Sequence, residues 1–400
     1  MSLREAYGAE GGIEKVYLWL MRANRLCTGG AMELRVELKK SFDGFSLDVD
    51  LTLREDLIVL FGPSGAGKSQ ILKMISGIVR PDEGLVSVGG QTLFDSAKGV
   101  DLPIRERRIG HLFQDYALFP HMTVYGNIAY GIAHLDRAVV REKVGELISV
   151  MRLSGFEGRY PHELSGGQKQ RCALARTLAT GPRLLLLDEP FAVLDYQVRE
   201  KLRADLLNIH RLYPITTVLV THDLEEAYML GNRIAVINNG RIEQIGGRED
   251  VFYRPATRNV ARFMGARNIF SGRVSSVDAS VVTVACPGIG EIKANVPPGS
   301  KPLAPGVEVS LCIRPEEIII IRPDRVLDDR VQDNIIEGVI ESTAGRGSTQ
   351  ILFLRAGGEA ASGTLLKIEL PNFVVRKLAL ATGKRIRVSL KKENVWIIPQ

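Results

Sequence analysis

The string Gly62-Pro63-Ser64-Gly65-Ala66-Gly67-Lys68-Ser69, directly after the apolar run Leu57-Ile58-Val59-Leu60-Phe61, constrains the fold more than any other stretch. An apolar strand, a glycine-rich loop and a helical start match the phosphate-binding pattern Gly-x-x-x-x-Gly-Lys-Ser/Thr in its required context. Glycines let the backbone wrap closely around a polyphosphate. Successive N–H groups and the helix N-terminus then turn positive dipole toward the anion. Lys68 is suited to reach the outer phosphates as a point charge, and the Ser69 hydroxyl to hold Mg²⁺. The loop alone leaves the nucleotide, and what its hydrolysis drives, undefined.

From Met32 to about Gly265 strands alternate with helical patterns, which implies an α/β nucleotide-binding core. Met32 opens the alternation Leu34, Val36, Leu38, and two further buried strands are read at Leu184–Leu187 and Thr217–Thr221. Between roughly 115 and 180 the pattern turns helical, so a helical subdomain is expected to interrupt the core. Residues 1–31 have no strong period, and Thr28-Gly29-Gly30 would break a helix there, so they are expected to be a poorly ordered extension before a natural start at Met32.

After Asn268 the chain changes to short β-branched runs broken by Gly and Pro, the pattern of a small β-barrel. The tail repeats itself: Asn268-Ile-Phe-Ser-Gly272 resembles Asn334-Ile-Ile-Glu-Gly338. Gly306-Val-Glu-Val-Ser-Leu with Ile318–Ile321 likewise resembles Gly383-Lys-Arg-Ile-Arg-Val with Val395–Ile398. Two copies of one β module, 268–325 and 331–400, are expected.

Composition limits the function classes. A net charge of +6 with no long Lys/Arg block does not demand a nucleic-acid partner, and none is expected. Cys27, Cys172, Cys286 and Cys312 lie far apart without Cys-x-x-Cys spacing, which argues against a zinc site and a disulfide framework. No apolar stretch reaches the length of a membrane span, and Val16–Met21 is too short for a signal core, so contact with a membrane is expected through a partner.

Three further segments carry chemistry. Leu164-Ser165-Gly166-Gly167-Gln168 again sets a hydroxyl and glycine N–H groups before a helical pattern, Lys169–Leu178. Asp188-Glu189-Pro190 closes the four-leucine strand, where Asp188 can hold Mg²⁺ and Glu189 can polarise an attacking water. His222 ends the Thr217–Thr221 strand, where it can sense a γ-phosphate. Taken singly, Ser165 reads equally as an N-cap, Glu189 as a turn cap and His222 as a structural histidine. Their order along one chain argues against that.

With these motifs in this order, residues 33–265 resemble the ABC-type ATPases, which implies an α/β P-loop (RecA-like) ATPase domain with an inserted helical subdomain. The resemblance implies that Gln114 contacts Mg²⁺ or the attacking water and that Asp195 lies at a dimer interface. It also implies that Phe42 stacks on adenine, although Phe45 is close by. Ala192 and Gln70 stand where the family more often has Ser and Thr; neither change removes a catalytic group. In the family each ATP lies between the loop of one subunit and Ser165, Gly166, Gly167 and Gln168 of another, so a homodimer with bound ATP and Mg²⁺ is implied.

Two classes compete for the output: the energy-coupling subunit of a membrane importer, or a soluble ABC-type ATPase acting on DNA repair or translation. Phe119-Pro120-His121-Met122-Thr123-Val124, Leu224-Glu225-Glu226-Ala227 and Asn239–Gly246 resemble importer ATPases. That implies two integral membrane permease subunits, an extracytoplasmic binding protein and a place on the cytoplasmic face of the inner membrane. Ile313-Arg314-Pro315-Glu316 resembles a TOBE/MOP-like all-β regulatory domain (OB/MOP-like barrel). Phe94-Asp95-Ser96 with Leu102–Gly110 resembles molybdate, tungstate and sulfate importers. Molybdate is the first expectation, tungstate or sulfate the next, with iron(III), polyamine and sugar as alternatives. The tail then either binds the oxyanion or only dimerises.

Overall fold

A computed structural model describes residues 33–398 except 55–56, 193, 213–214, 279, 300–301, 323–332 and 358–362. The extension expected over 1–31, with Cys27 and the start at Met32, lies outside the described residues. The chain forms two compact units, Met1–Arg248 and Glu249–Gln400.

The first unit opens with β1 (Glu33–Phe42), β2 (Phe45–Arg54), β3 (Leu57–Phe61) and α1 (Lys68–Ser76). There follow β4 (Glu83–Val88), β5 (Gln91–Asp95), β6 (Val100–Asp101) and β7 (Ile109–Leu112). Helices α2 (Val124–Ala129), α3 (Arg137–Val150) and α4 (Gly166–Ala179) occupy the segment expected to be helical. Then come β8 (Leu184–Asp188), α5 (Tyr196–Leu212), β9 (Thr216–Thr221), α6 (Leu224–Leu230), β10 (Arg233–Asn238) and β11 (Arg241–Gly247).

These strands form one eleven-stranded sheet in the order β6-β5-β4-β1-β2-β11-β10-β3-β9-β8-β7. One side is an antiparallel wing. In β1 and β2, Leu34, Val36, Leu38, Leu47, Val49, Leu51 and Leu53 are buried while their neighbours face outward, the period of two of a half-buried sheet. The other side is parallel, and β3, β8 and β9 are buried along their whole length. That is why Leu57–Phe61 and Leu184–Leu187 read as continuous apolar runs.

The second unit begins with α7 (Arg248–Tyr253) and α8 (Arg258–Phe263). Its strands are β12 (Asn268–Val277), β13 (Val281–Cys286), β14 (Gly290–Asn295), β15 (Glu308–Ile313), β16 (Ile319–Ile321), β17 (Ile335–Arg346) and β18 (Thr349–Ala356). β19 (Leu365–Pro371), α9 (Asn372–Lys377), β20 (Arg385–Ser389) and β21 (Trp396–Ile398) complete it. The division falls between Arg248 and Glu249, at the first residue of α7, whereas the expectation placed it after Gly265. The buried Arg314 accounts for the difference. Its guanidinium stacks 3.2 Å from the Phe252 ring centroid and donates to the Phe252 and Met264 carbonyls, so both helices are fastened to the end of β15.

The tail is all-β, as expected: two five-stranded antiparallel sheets, β14-β13-β12-β15-β21 and β16-β20-β17-β18-β19, lie around one apolar core. The sheets have the same strand order, yet each takes its last strand from the other half: β21 joins the first and β16 the second. The correspondence extends to details. Bulges break the register at Val274/Ser276 in β12 and at Ile340/Ser342 in β17. The Asn268 amide pairs with the Lys367 backbone, accepting at 2.7 Å and donating at 2.9 Å. The Asn334 amide does the same to Lys293, at 2.7 Å in both directions. Each half thus clasps the other's third strand with an asparagine.

Candidate active site

β3, β9, β8 and β7 are neighbours and mutually parallel, so their carboxyl ends leave the same edge of the sheet. Phe61 lies beside Thr221, Asp188 beside Val220 and Leu112 beside Leu187. The phosphate loop, His222, the Asp188–Glu189 pair and the exposed turn holding Gln114 are therefore adjacent, at the position where open α/β sheets bind ligands.

The loop is shaped by close backbone approach. A Cβ on Gly62 would lie 2.1 Å from the Ile237 carbonyl oxygen, so only glycine fits. Ala66 N–H donates to the Pro63 carbonyl and Gly240 N–H to the Ala66 carbonyl, both at 3.2 Å. α1 begins after Gly67 without a side-chain cap, leaving its first amide groups for an anion. The Lys68 ammonium is buried and donates to the carbonyls of Gly62 and Pro63 at 2.8 and 2.9 Å. Burial lowers its pKa, against the opposing pull of Glu189 and Asp188.

Across the loop, the Ser69 hydroxyl donates to Asp188 Oδ1 at 2.8 Å. Burial raises the Asp188 pKa and the Glu189 charge adds to this, while the Ser69 hydrogen bond and the Lys73 and Lys68 charges oppose it. A hydroxyl and a carboxylate side by side are hard oxygen donors that suit Mg²⁺, whose remaining ligands are ordinarily phosphate oxygens and water. Among the described residues, no cluster of three or more His, Cys, Asp or Glu offers a metal site made by protein alone.

Glu189 adopts φ 43°, a left-handed conformation that costs a non-glycine residue about 1–2 kcal/mol. It continues the strand pairing through its N–H to the Val220 carbonyl at 3.1 Å, and its Oε2 lies 3.2 Å from His222 Nδ1. The His222 side chain is 55% exposed, so it is open to a ligand.

The remaining expected residues are not all in this cluster. Ser165 caps α4: its hydroxyl accepts from Gln168 N–H at 3.4 Å, and Ser165 N–H donates to the Gln168 side chain at 2.8 Å. Ser165 and Gly166 are solvent-exposed and Gly167 is buried. Asp195 is exposed and caps α5, accepting from Val198 N–H at 3.0 Å. Phe42 lies 6.1 Å from Phe45 between ring centroids. It is Phe45 that meets the phosphate loop, its ring edge 2.8 Å from where a Gly67 Cβ would stand.

A family model described as "ABC transporter" matches residues 47–192. The chain is 36% identical over 369 residues, 90% of its own length and 94% of the relative's, to the spermidine/putrescine import ATP-binding protein PotA of Marinobacter nauticus. It belongs to the ABC importer ATP-binding subunits. The sulfate/thiosulfate import ATP-binding protein CysA of Bacillus cereus is 35% identical, with 92% of this chain and 98% of the relative covered. CysA of Xylella fastidiosa is 40% identical over 72% of this chain and 81% of its own. Among solved structures, cbiO1 from Clostridium perfringens, titled as part of the ABC transporter complex cbiONQ, matches with TM-score 0.51 and 27% identity. It covers 58% of this chain and 94% of that one. As a member, the chain is an ATP-binding ATPase subunit of an importer. No helix among the described residues is long and apolar enough to cross a membrane.

Sequence reasoning about this importer subunit missed the polar cluster behind His222. Arg203, only 1% exposed, faces Glu200 at 2.6 Å and Glu226 at 3.1 Å. Burial works against its charge, but the Glu226 hydrogen bond and charge more than offset this and raise its pKa. A single Arg among many helix charges carries no local mark of burial; only the packing of α5 against α6 reveals it.

Proposed function

We propose that this subunit drives import of a tetrahedral oxyanion, of the sulfate or molybdate type, by hydrolysing ATP at Lys68, Asp188, Glu189 and His222. The observation that carries the hydrolytic reading is the pairing of Ser69 with Asp188 and of Glu189 with His222 beside one phosphate loop. Lys68 and the α1 amides bind the phosphates, and Ser69, Asp188 and Gln114 hold Mg²⁺, which supplies charge neutralisation when bound. Glu189 accepts a proton from the attacking water or orients it, and His222 stabilises charge on the transferred phosphoryl group. Exposure of the Ser165–Gly166 cap supports its pairing with the loop of a second copy, Asp195 lying at the same interface. Phe45 or Phe42 stacks on adenine.

Two permease subunits and an extracytoplasmic binding protein complete the importer, with this chain on the cytoplasmic face of the inner membrane. The oxyanion class draws on relatives named for sulfate/thiosulfate import, which are 35–40% identical, beside those named for spermidine/putrescine import at 36–38%. It rests also on the resemblance of Phe94–Ser96 and Leu102–Gly110 to such importers. The polyamine reading draws on the 90% coverage by PotA. Uptake of labelled sulfate, molybdate and spermidine by cells with and without the gene tests it. Loss of oxyanion uptake alone is expected; loss of spermidine uptake alone would establish the second reading.

A further inference from the structure

The charge cluster behind His222 is built around two arginines one helical turn apart on α5. Arg203 contacts Glu226 at 3.1 Å and Glu200 at 2.6 Å, with Asp223 and Glu225 each at 3.6 Å. Arg199 donates to the Leu194 carbonyl at 3.0 Å and lies 3.7 Å from Asp223. Glu226 uses its second oxygen to accept from the Thr221 hydroxyl, which in turn accepts from Asp223 N–H at 3.0 Å. Asp223 Oδ1 closes the ring by accepting from Glu226 N–H at 3.0 Å. His222 is thus held on both sides while its own ring stays exposed and reaches Glu189.

Buried ion pairs contribute little net stability, because desolvation cancels most of the attraction; apolar residues of similar size pack at least as well. The worth of this cluster therefore lies in geometry. The first turn of α5 touches Leu194–Asp195, and one turn further along the same face Arg203 grips the residues flanking His222.

We propose that Arg203, assisted by Arg199 and acting through Glu226, is a positioning residue for His222, fixing the Thr221–Asp223 backbone relative to the 194–195 turn. The proposal rests on the reading of His222 as the group facing the reacting phosphate. A histidine displaced by about 1 Å loses its transition-state contact, whereas ATP binding rests on Lys68 and the amides of the phosphate loop and is unchanged.

The test uses the full chain, with kcat and KM for ATP and the melting temperature measured for the double variant R203M/E226Q, for R203K and for H222A. Removing both buried charges together avoids an orphaned carboxylate, so the double variant is expected to melt close to the wild type. Its kcat is expected to fall about tenfold to a hundredfold with KM within about twofold, the signature of an interaction made only in the transition state. R203K, which keeps the charge but not the fork, is expected to fall less, about threefold. A folded double variant with wild-type kcat, while H222A is inactive, overturns the proposal. If the double variant does not fold, R203K decides: wild-type kcat overturns it, and a fall at unchanged KM supports it. Wild-type turnover in H222A would instead overturn the reading of His222.

Discussion

The two units of this chain use polar side chains in opposite ways. In the ATPase unit, parallel strands end on one edge, and the groups gathered there keep spare capacity. His222 is 55% exposed, Glu189 makes one contact to it at 3.2 Å, and α1 begins with uncapped amides. In the tail, antiparallel strands end alternately on opposite edges, so no edge collects one kind of terminus. There the notable polar groups are consumed: Asn268 and Asn334 spend their amides on the backbones of Lys367 and Lys293.

The largest expected effect separates the units most sharply. Glu189→Gln should keep ATP binding but lose turnover by about 10²–10⁴-fold, the usual worth of a positioned proton acceptor. A nucleotide titration and an ATPase assay check it, and wild-type-like hydrolysis would remove Glu189 from the mechanism.

Glycine substitutions probe the comparison next. Gly62→Ala forces a Cβ to 2.1 Å from the Ile237 oxygen, and Gly338→Ala forces one to 2.4 Å from the Arg355 oxygen. Each should destabilise by about 3 kcal/mol or more, since backbone cannot step aside as a side chain can. Gly62→Ala should abolish nucleotide binding, whereas Gly338→Ala should lower the tail's melting and leave ATP affinity intact. Loss of ATP binding in the Gly338 variant would break the division of labour.

Asn268→Ala and Asn334→Ala are smaller changes. Each leaves a strand amide and carbonyl without their partner, worth about 1–3 kcal/mol in thermal or denaturant unfolding. Asn334→Ala should cost the more at its backbone, because φ 46° suits Asn far better than Ala. ATPase rates of the folded variants should match the wild type.

Asp82→Asn should have the smallest effect. The Lys40 ammonium and then the Ser41 N–H hold the Asp82 carboxyl below its ordinary pKa of 3.8. A depressed carboxylate adds stability above its unfolded-state pKa and loses it as pH falls through the folded one. Wild type and variant should thus differ slightly at neutral pH and converge in acid, measured by melting against pH.

The segments of the candidate site were legible because each is local. Gly62–Ser69 bring their own strand, turn and helix start, Asp188–Glu189 end a visible apolar strand, and His222 ends another. The sequence also carried the tail's duplication, since Asn268 and Gly272 recur as Asn334 and Gly338. It did not carry the exchange of β16 and β21, because a three-residue strand pairs equally well by pattern with either sheet. Nor did it mark the domain boundary, which depends on Arg314 meeting Phe252 and Met264 from another part of the chain.

Contiguous motifs thus marked the ATPase family and the strand ends where the candidate site gathers, since backbone amides and neighbouring side chains act within a few residues of one another. The tertiary structure decided what lies between them: Phe45 against Gly67, Arg203 behind His222, and each half of the tail closed by the other's strand. Those contacts join residues far apart in the chain, and close packing selects them only once the whole fold is assembled.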